Sequence, residues 1–272
     1  MKSCRSVPVL LSLPVLVILL GCKSGGNGPV TPTVAAPIPA ADACNAIGGA
    51  ATSSIGILNG AQCAPERSSI VKLNLRNAAG DTLGSCSGTV VTPRAVLTAA
   101  HCLDEGVAVA RVWTGAASEP EIVAQSFVFY PDFRFNQSGF DVGMVIMGQD
   151  LPRSPVPILT SREGRIGEPA IVAGWGRDQN DTISFLRAGS TTLSGVSPDL
   201  LRTIYAPPSS SVCQGDSGGP ILLSEGNRWA IGGIISATSG NTCNTGANLY
   251  QAIRHQPVWD FIRQHAPGVI EQ

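Results

Sequence analysis

The segment Cys213-Gln214-Gly215-Asp216-Ser217-Gly218-Gly219-Pro220 places one serine among three glycines. A serine hydroxyl is a weak nucleophile at its free pKa, so serine catalysis requires a neighbouring base and hydrogen-bond donors for the oxyanion that forms. Glycine lets the backbone bend sharply and present N–H groups without an obstructing Cβ. The segment therefore favours Ser217 as a nucleophile at a tight turn, and the alternative is an ordinary glycine-rich hairpin turn.

A base for Ser217 must come from elsewhere in the chain, which contains three histidines. His101 lies in the segment Leu-Thr-Ala-Ala-His-Cys of residues 97–102, whereas His255 and His265 flank a polar segment near the C-terminus. We therefore predict that His101 is the base and that the other two histidines lie at the solvated surface.

A carboxylate that orients the base is expected between the base and the nucleophile in the sequence. Asp141 opens the apolar run of residues 140–147 (FDVGMVIM), where a carboxylate is removed from water and needs a partner. Asp132 and Asp150 stand beside proline-containing turn signals and are interpreted as turn residues. Asp141 is therefore the predicted orienting carboxylate.

These segments resemble the active-site motifs of the chymotrypsin/trypsin-like serine proteases, and Gly-Trp-Gly at residues 174–176 is also similar. The order His101, Asp141, Ser217 is that of this family and not that of subtilisins or α/β-hydrolases. The resemblance covers residues 57–266. It implies an all-β fold of two six-stranded antiparallel β-barrels, with the three side chains at their seam and a C-terminal helix.

The resemblance also implies the role of each residue. Ser217 attacks the scissile carbonyl, His101 takes its proton and later delivers it to the leaving amine, and Asp141 fixes the imidazole tautomer. The backbone N–H groups of Gly215 and Ser217 bind the oxyanion. The expected partner is a protein or peptide substrate, the expected state is a monomer, and no cofactor is expected.

Two other function classes are open to such a chain. One is a catalytically silent relative that acts as a binding or adhesion module, but such relatives usually lack one of the three residues that are all present here. The other is an esterase of another fold, which the order of the three residues disfavours. Formal net charge is −1, with 18 basic and 19 acidic residues, so that nucleic acid is not an expected partner.

Short apolar runs at the spacing of an all-β fold occur across the same region. The predicted strands include residues 69–75, 87–91, 111–113, 122–128 and 142–147. Residues 258–262 have the apolar spacing of an amphipathic helix. The proline-containing residues 150–167 mark the predicted division between the two barrels.

The N-terminus is typical of an exported lipoprotein. Residues 7–20 form an apolar run of 14 residues after Lys2 and Arg5, too short for a membrane-spanning helix of ~20 residues but suited to a signal peptide. The run ends in Leu-Leu-Gly-Cys, which resembles a lipobox. This predicts a signal peptide over residues 1–21, lipidation of Cys22, and attachment to the outer membrane or surface of a bacterial envelope. The alternative is an ordinary secretory signal.

Three further segments follow Gly21. Residues 22–43 are rich in Gly, Pro and Ala and are predicted to be a flexible linker. Residues 44–56 are interpreted as a propeptide-like segment before a protease domain at 57–272.

Residues 57–60 (Ile-Leu-Asn-Gly) resemble the new N-terminus of activated family members, whose α-amino group pairs with the aspartate beside the catalytic serine, here Asp216. Gly56 precedes Ile57, where the family usually has Arg or Lys, so cleavage by another protease is implied. The alternative is that Ile57 starts a strand in an uncleaved chain.

Six cysteines remain after the signal peptide and Cys22, and an even number in an exported chain indicates disulfides. No Cys-x-x-Cys pair is present, which disfavours a metal site. The resemblance implies the pairs Cys86–Cys102 and Cys213–Cys243. Cys44 and Cys63 are then left for each other.

The resemblance also predicts which substrate side chain is preferred immediately before the cleaved bond, the P1 position. Ser211, six residues before Ser217, stands where trypsin-like members have an aspartate, so cleavage after basic residues is not expected. Ser236 and Thr238 belong to the predicted edge that pairs with an extended substrate. Thr238 and Asn248 stand where glycines keep the pocket wide in other members, which favours small or medium uncharged P1 side chains.

Overall fold

The computed structural model describes residues 36–56, 58–104, 106–178, 185–240 and 242–272. The predicted signal peptide, Cys22 and Ile57 lie outside these residues. Within them, no helix is both long enough and apolar enough to cross a lipid bilayer.

The structure is built almost entirely of strands, with one helix near each end of the described chain. The elements are α1 (Ala40–Ala46), β1 (Ala51–Gly56), β2 (Gly60–Cys63), β3 (Ile70–Arg76), β4 (Thr82–Thr92), β5 (Ala95–Thr98), a 3₁₀ turn (Ala100–Cys102), β6 (Val109–Trp113), β7 (Ile122–Val123), β8 (Ser126–Phe129), β9 (Gly143–Ile146), β10 (Pro169–Gly174), β11 (Arg187–Val196), β12 (Leu200–Ile204), β13 (Pro220–Glu225), β14 (Arg228–Thr238), β15 (Ala247–Ala252) and α2 (Gln256–His265). This confirms the predicted all-β fold with a C-terminal helix.

The strands form two sheets, and the second of them, which contains β10 to β15, closes into a six-stranded antiparallel barrel. Its strand order is β11-β10-β13-β14-β15-β12, and β12 pairs with β11 to complete the ring. The hairpin β1–β2 extends this sheet, because β2 pairs with β11 outside the ring. The barrel is filled by apolar side chains such as Val172, Ile221 and Tyr250, each fully buried.

The first sheet has the order β7-β6-β3-β4-β5-β9-β8, with seven strands instead of the six expected, and among the described residues no pairing closes it into the predicted second ring, so it is a half-barrel. The predicted strand at residues 122–128 is two strands, β7 and β8, which pair with β6 and β9 respectively. In β3, Leu73 and Leu75 are buried while Lys72 and Asn74 are only half-buried, the period-2 alternation of a strand with one face on a core.

The folded unit begins earlier than the sequence predicted. Helix α1 starts at Ala40, inside the predicted linker, and Ala43 and Cys44 at the predicted boundary are fully buried. Alanine has the highest helix propensity, so an alanine-rich stretch after Pro39 folds as a helix once it has a surface to pack on. The predicted propeptide-like segment contains the end of α1 and all of β1.

Helix α2 confirms the amphipathic pattern at the C-terminus. Val258, Trp259, Phe261 and Ile262 are its buried residues. The flanking histidines are half-buried, although the sequence predicted solvated positions. Their rings lie against aromatic side chains, with centroids 4.6 Å apart for His255 and Phe140 and 4.7 Å apart for His265 and Phe261.

Candidate active site

The register of two neighbouring strands brings His101 and Asp141 together. Strand β5 leads into the 3₁₀ turn that carries His101, and β9 begins two residues after Asp141. Thr98 of β5 pairs with Gly143 of β9, so the two side chains start from adjacent ends of an antiparallel pair. The His101 Nδ1 atom lies 2.8 Å from Asp141 Oδ2, and the His101 backbone N–H donates to Oδ1 at 2.9 Å.

The Asp141 carboxylate is buried and receives a third hydrogen bond from Ser236. The Ser236 hydroxyl donates to Oδ2 at 2.5 Å, and Gln251 Oε1 accepts the backbone N–H of Asp141 at 3.0 Å. These donors fix the orientation of the carboxylate against the His101 ring. Sequence reasoning had assigned Ser236 only to the substrate edge and had missed Gln251.

The Ser217 segment is tied to β4, the strand that pairs with β5. The Ser217 carbonyl accepts the N–H of Ser87 at 2.8 Å, and Ser87 follows Cys86, the disulfide partner of Cys102. The next N–H, that of Gly218, donates to Ile235 of the second barrel at 2.9 Å. The serine is thus held at the junction of the two sheets, next to the 3₁₀ turn.

Two glycines make this close approach possible. Gly215 and Gly218 have φ values of +93° and +81°, in the left-handed region that favours glycine. A Cβ at Gly218 would collide with the Thr98 hydroxyl and the Ser87 carbonyl. The glycines in the starting motif therefore serve both the turn and its packing.

The N–H groups of Gly215 and Ser217 are free to bind an anion. Neither has an acceptor among the residues that the structure describes. The Gln214 carbonyl accepts the N–H of Arg177 at 2.9 Å, and in a trans peptide the N–H of the next residue points the opposite way. The N–H of Gly215 is accordingly directed away from Arg177.

Asp216 lies beside Ser217 but is buried in the second barrel, 1% exposed. Its carboxylate accepts the N–H of Gly176 at 2.8 Å and the N–H of Cys213 at 2.9 Å. Burial raises the pKa of Asp216 to about 6, and these two bonds and the charge of Arg187 oppose that rise. The predicted partner, the α-amino group of Ile57, lies outside the described residues. Its neighbour Leu58 accepts the N–H of Ser211 at 3.2 Å.

The predicted pocket residues fall into two groups. Ser211 and Asn248 are buried together, and the Ser211 hydroxyl donates to Asn248 Oδ1 at 3.2 Å. Asn248 in turn donates to Thr203 at 3.2 Å, so that its amide is fixed in place. Thr238 is exposed and lies opposite Asn248 in the β14–β15 register, whereas Ser236 lies at Asp141. Thr203, missed by sequence reasoning, lies in β12, opposite Asn248 of β15.

The sequence profile of the family described as Trypsin matches residues 57–262. The chain belongs to the trypsin family. Similar proteins include chymotrypsin of Phaedon cochleariae, 29% identical over 195 residues that cover 62% of this chain and 70% of that protein. Chymotrypsin-like elastase family member 1 of Bos taurus is 25% identical over 190 residues, 59% of this chain and 70% of that protein. Transmembrane protease serine 5 of Homo sapiens is 26% identical over 183 residues, which are only 40% of its length.

This trypsin-family chain forms all three of the predicted disulfides: Cys44–Cys63, Cys86–Cys102 and Cys213–Cys243. In the described part of the chain, one group of metal-ligating side chains lies close together, and it consists of His101 with Cys86 and Cys102. The two sulfurs are bonded to each other, so they cannot act as thiolate ligands.

Proposed function

We propose that the protein is a serine endopeptidase whose catalytic residues are Ser217, His101 and Asp141. The observation that carries the proposal is the His101 Nδ1 contact with the buried Asp141 carboxylate at 2.8 Å, beside the Ser217 turn. That contact assigns the Nδ1 proton to the side facing Asp141 and leaves Nε2 as the base. Membership of the trypsin family, which includes chymotrypsins and elastases, supports peptide bonds as the substrate.

The proposed reaction proceeds through an acyl-enzyme. The Ser217 hydroxyl adds to the scissile carbonyl while its proton passes to His101, and collapse of the tetrahedral intermediate transfers that proton to the leaving amine. Water then adds to the ester by the reverse sequence and releases the acid. The N–H groups of Gly215 and Ser217 bind the oxyanion in both halves, a contribution of about 100- to 1000-fold in kcat per donor.

We further propose that the P1 pocket takes small or medium uncharged side chains. Ser211 and Asn248 supply no countercharge for a buried guanidinium, and the fixed Asn248 amide occupies space beside Ser211. With a panel of peptide para-nitroanilides, we expect kcat/KM for Ala or Val at P1 to exceed that for Arg by at least about 100-fold.

The Asn248→Ala variant removes the amide and should raise the Phe-to-Ala ratio of kcat/KM by about tenfold or more. The matched control is Asn227→Ala in the exposed β13–β14 turn, which should leave the ratio unchanged. A wild-type preference for Arg over Ala would overturn the pocket assignment.

Export with lipid anchoring at Cys22, in a bacterial envelope, is proposed on the N-terminal sequence and on three disulfides, which form in oxidising compartments. We also propose that another protease cleaves between Gly56 and Ile57. Because Cys44–Cys63 spans that bond, cleavage would leave the lipid-bearing segment attached.

A gel of the cleaved protein tests this arrangement. We expect one band without reductant that splits into two with reductant, and the Cys44→Ala/Cys63→Ala variant should release the N-terminal segment without reductant. Release of that segment from the wild type in the absence of reductant would contradict the proposal.

A further inference from the structure

Arg187 is a buried cation to which the proposed mechanism gives no role. It opens β11, is only 2% exposed, and is among the largest fully buried side chains of the described residues. A buried charge is costly unless it is paired and hydrogen-bonded. The guanidinium donates from Nη2 to Asp178 Oδ2 at 2.9 Å and from Nη1 to the carbonyl of Gly176 at 2.9 Å.

Gly176 connects this ion pair to the catalytic turn. Its carbonyl is held by Arg187, and its N–H donates to Asp216 Oδ1 at 2.8 Å. The contact is close, since a Cβ on Gly176 would lie 2.5 Å from the Asp216 Cγ atom. A shift of Gly176 would therefore displace the Asp216 carboxylate, whose residue immediately precedes Ser217.

The charges around Asp216 also indicate that Arg187 supports the catalytic turn. Among the described residues, its two hydrogen-bond donors are backbone N–H groups without formal charge, and the positive charge of Arg187 also acts on it. Burial and, secondarily, the charge of Asp216 raise the pKa of the Tyr250 hydroxyl, so that this neighbour is neutral and adds no charge beside Asp216. Arg187 thus favours the ionised form of Asp216, which can accept both N–H bonds at once.

We infer that Arg187 is a positioning residue for the oxyanion hole, which through Gly176 and Asp216 keeps the N–H groups of Gly215 and Ser217 directed into the cleft. This inference rests on the proposed protease function. None of the contacts that carry it involves Ile57, so this support does not require a freed amino terminus.

The test must separate positioning from simple loss of stability. Arg187→Met alone would leave Asp178 buried without this cation, so the informative protein is the double variant Arg187→Met/Asp178→Asn. Replacing both members of a buried ion pair often has little effect on stability. The matched control is Arg153→Met/Glu119→Gln, because Arg153 is also buried and its Nη2 pairs with Glu119 at 3.0 Å without contacting the catalytic turn.

We expect the Arg187 double variant to have kcat on a peptide para-nitroanilide about 10- to 100-fold below wild type, with KM changed less than about threefold. The acid limb of its kcat–pH profile should also move to higher pH. Activity that needs ionised Asp216 is present above the Asp216 pKa of about 6 and is lost below it, and removing Arg187 raises that pKa further. The Arg187→Lys variant keeps the positive charge, so its kcat should be higher than that of the double variant and its acid limb should move less.

Thermal melting of each variant verifies that it is folded, and the control should match wild type in kcat and in acid limb. If the Arg187 double variant has the wild-type kcat and the acid limb of its kcat–pH profile is not shifted, the inference is overturned. The proposed protease function is then unaffected. An equal fall in kcat in both double variants would also overturn it. No hydrolysis by wild type would overturn the proposed function and this inference together.

Discussion

Ser217→Ala is expected to lower kcat for peptide anilide hydrolysis by about 10⁶-fold with little change in KM. Alanine removes the nucleophile, so the acyl-enzyme cannot form, and only binding and the oxyanion hole remain. The turn itself should persist, because Ser217 is held by its carbonyl and by the N–H of Gly218. Initial rates measured with concentrated enzyme quantify the residual activity.

The control for this prediction is Ser126→Ala, at an exposed position in β8. It should hydrolyse the anilide at the wild-type rate, and both variants should melt as wild type does. A Ser217→Ala protein that keeps more than about a tenth of wild-type kcat would show that the nucleophile lies elsewhere.

Asp141→Asn is expected to lower kcat by about 10⁴-fold. The carboxylate accepts three hydrogen bonds, from the His101 ring, the His101 backbone and Ser236. An asparagine has one acceptor oxygen and would aim its NH₂ group at a donor, so that His101 adopts the wrong tautomer and Nε2 no longer accepts the Ser217 proton. The kcat at neutral pH measures this loss.

Asp150→Asn is the matched control for Asp141→Asn. Asp150 pairs with Arg94 at the surface, with 67% of its side chain exposed, and such pairs contribute little. We expect its kcat to be that of wild type. Equal kcat values in the two variants would contradict the assignment of Asp141.

The strands could be predicted from the sequence where alternation of polar and apolar residues is the dominant pattern. Residues 71–75 alternate in polarity, and the strand predicted at residues 69–75 is β3, displaced by one residue at each end. Residues 122–128 are also rich in strand formers, but their two halves pair with different strands, and partner choice is a tertiary property. The helix α1 was missed for a related reason, since its alanines are helical only against the barrel that buries Ala43 and Cys44.

The candidate site could be predicted only where a motif carries it. His101, Asp141 and Ser217 lie in recognisable segments, and the structure brings the first two into contact. The roles of Gln251 and Arg187 depend on strand register, such as the pairing of Gly174 with Arg187, which no local pattern records. Thr203 likewise reaches Asn248 only because β12 and β15 pair.

The most direct test of the account is to treat the wild-type protein with a peptidyl diphenyl phosphonate bearing a valine-like P1 group and to locate the adduct by peptide mass spectrometry. If His101 and Asp141 activate Ser217, we expect a single adduct on Ser217. The same adduct should form slowly or not at all in the Asp141→Asn variant. An unmodified protein, or an adduct on another residue, would contradict the account.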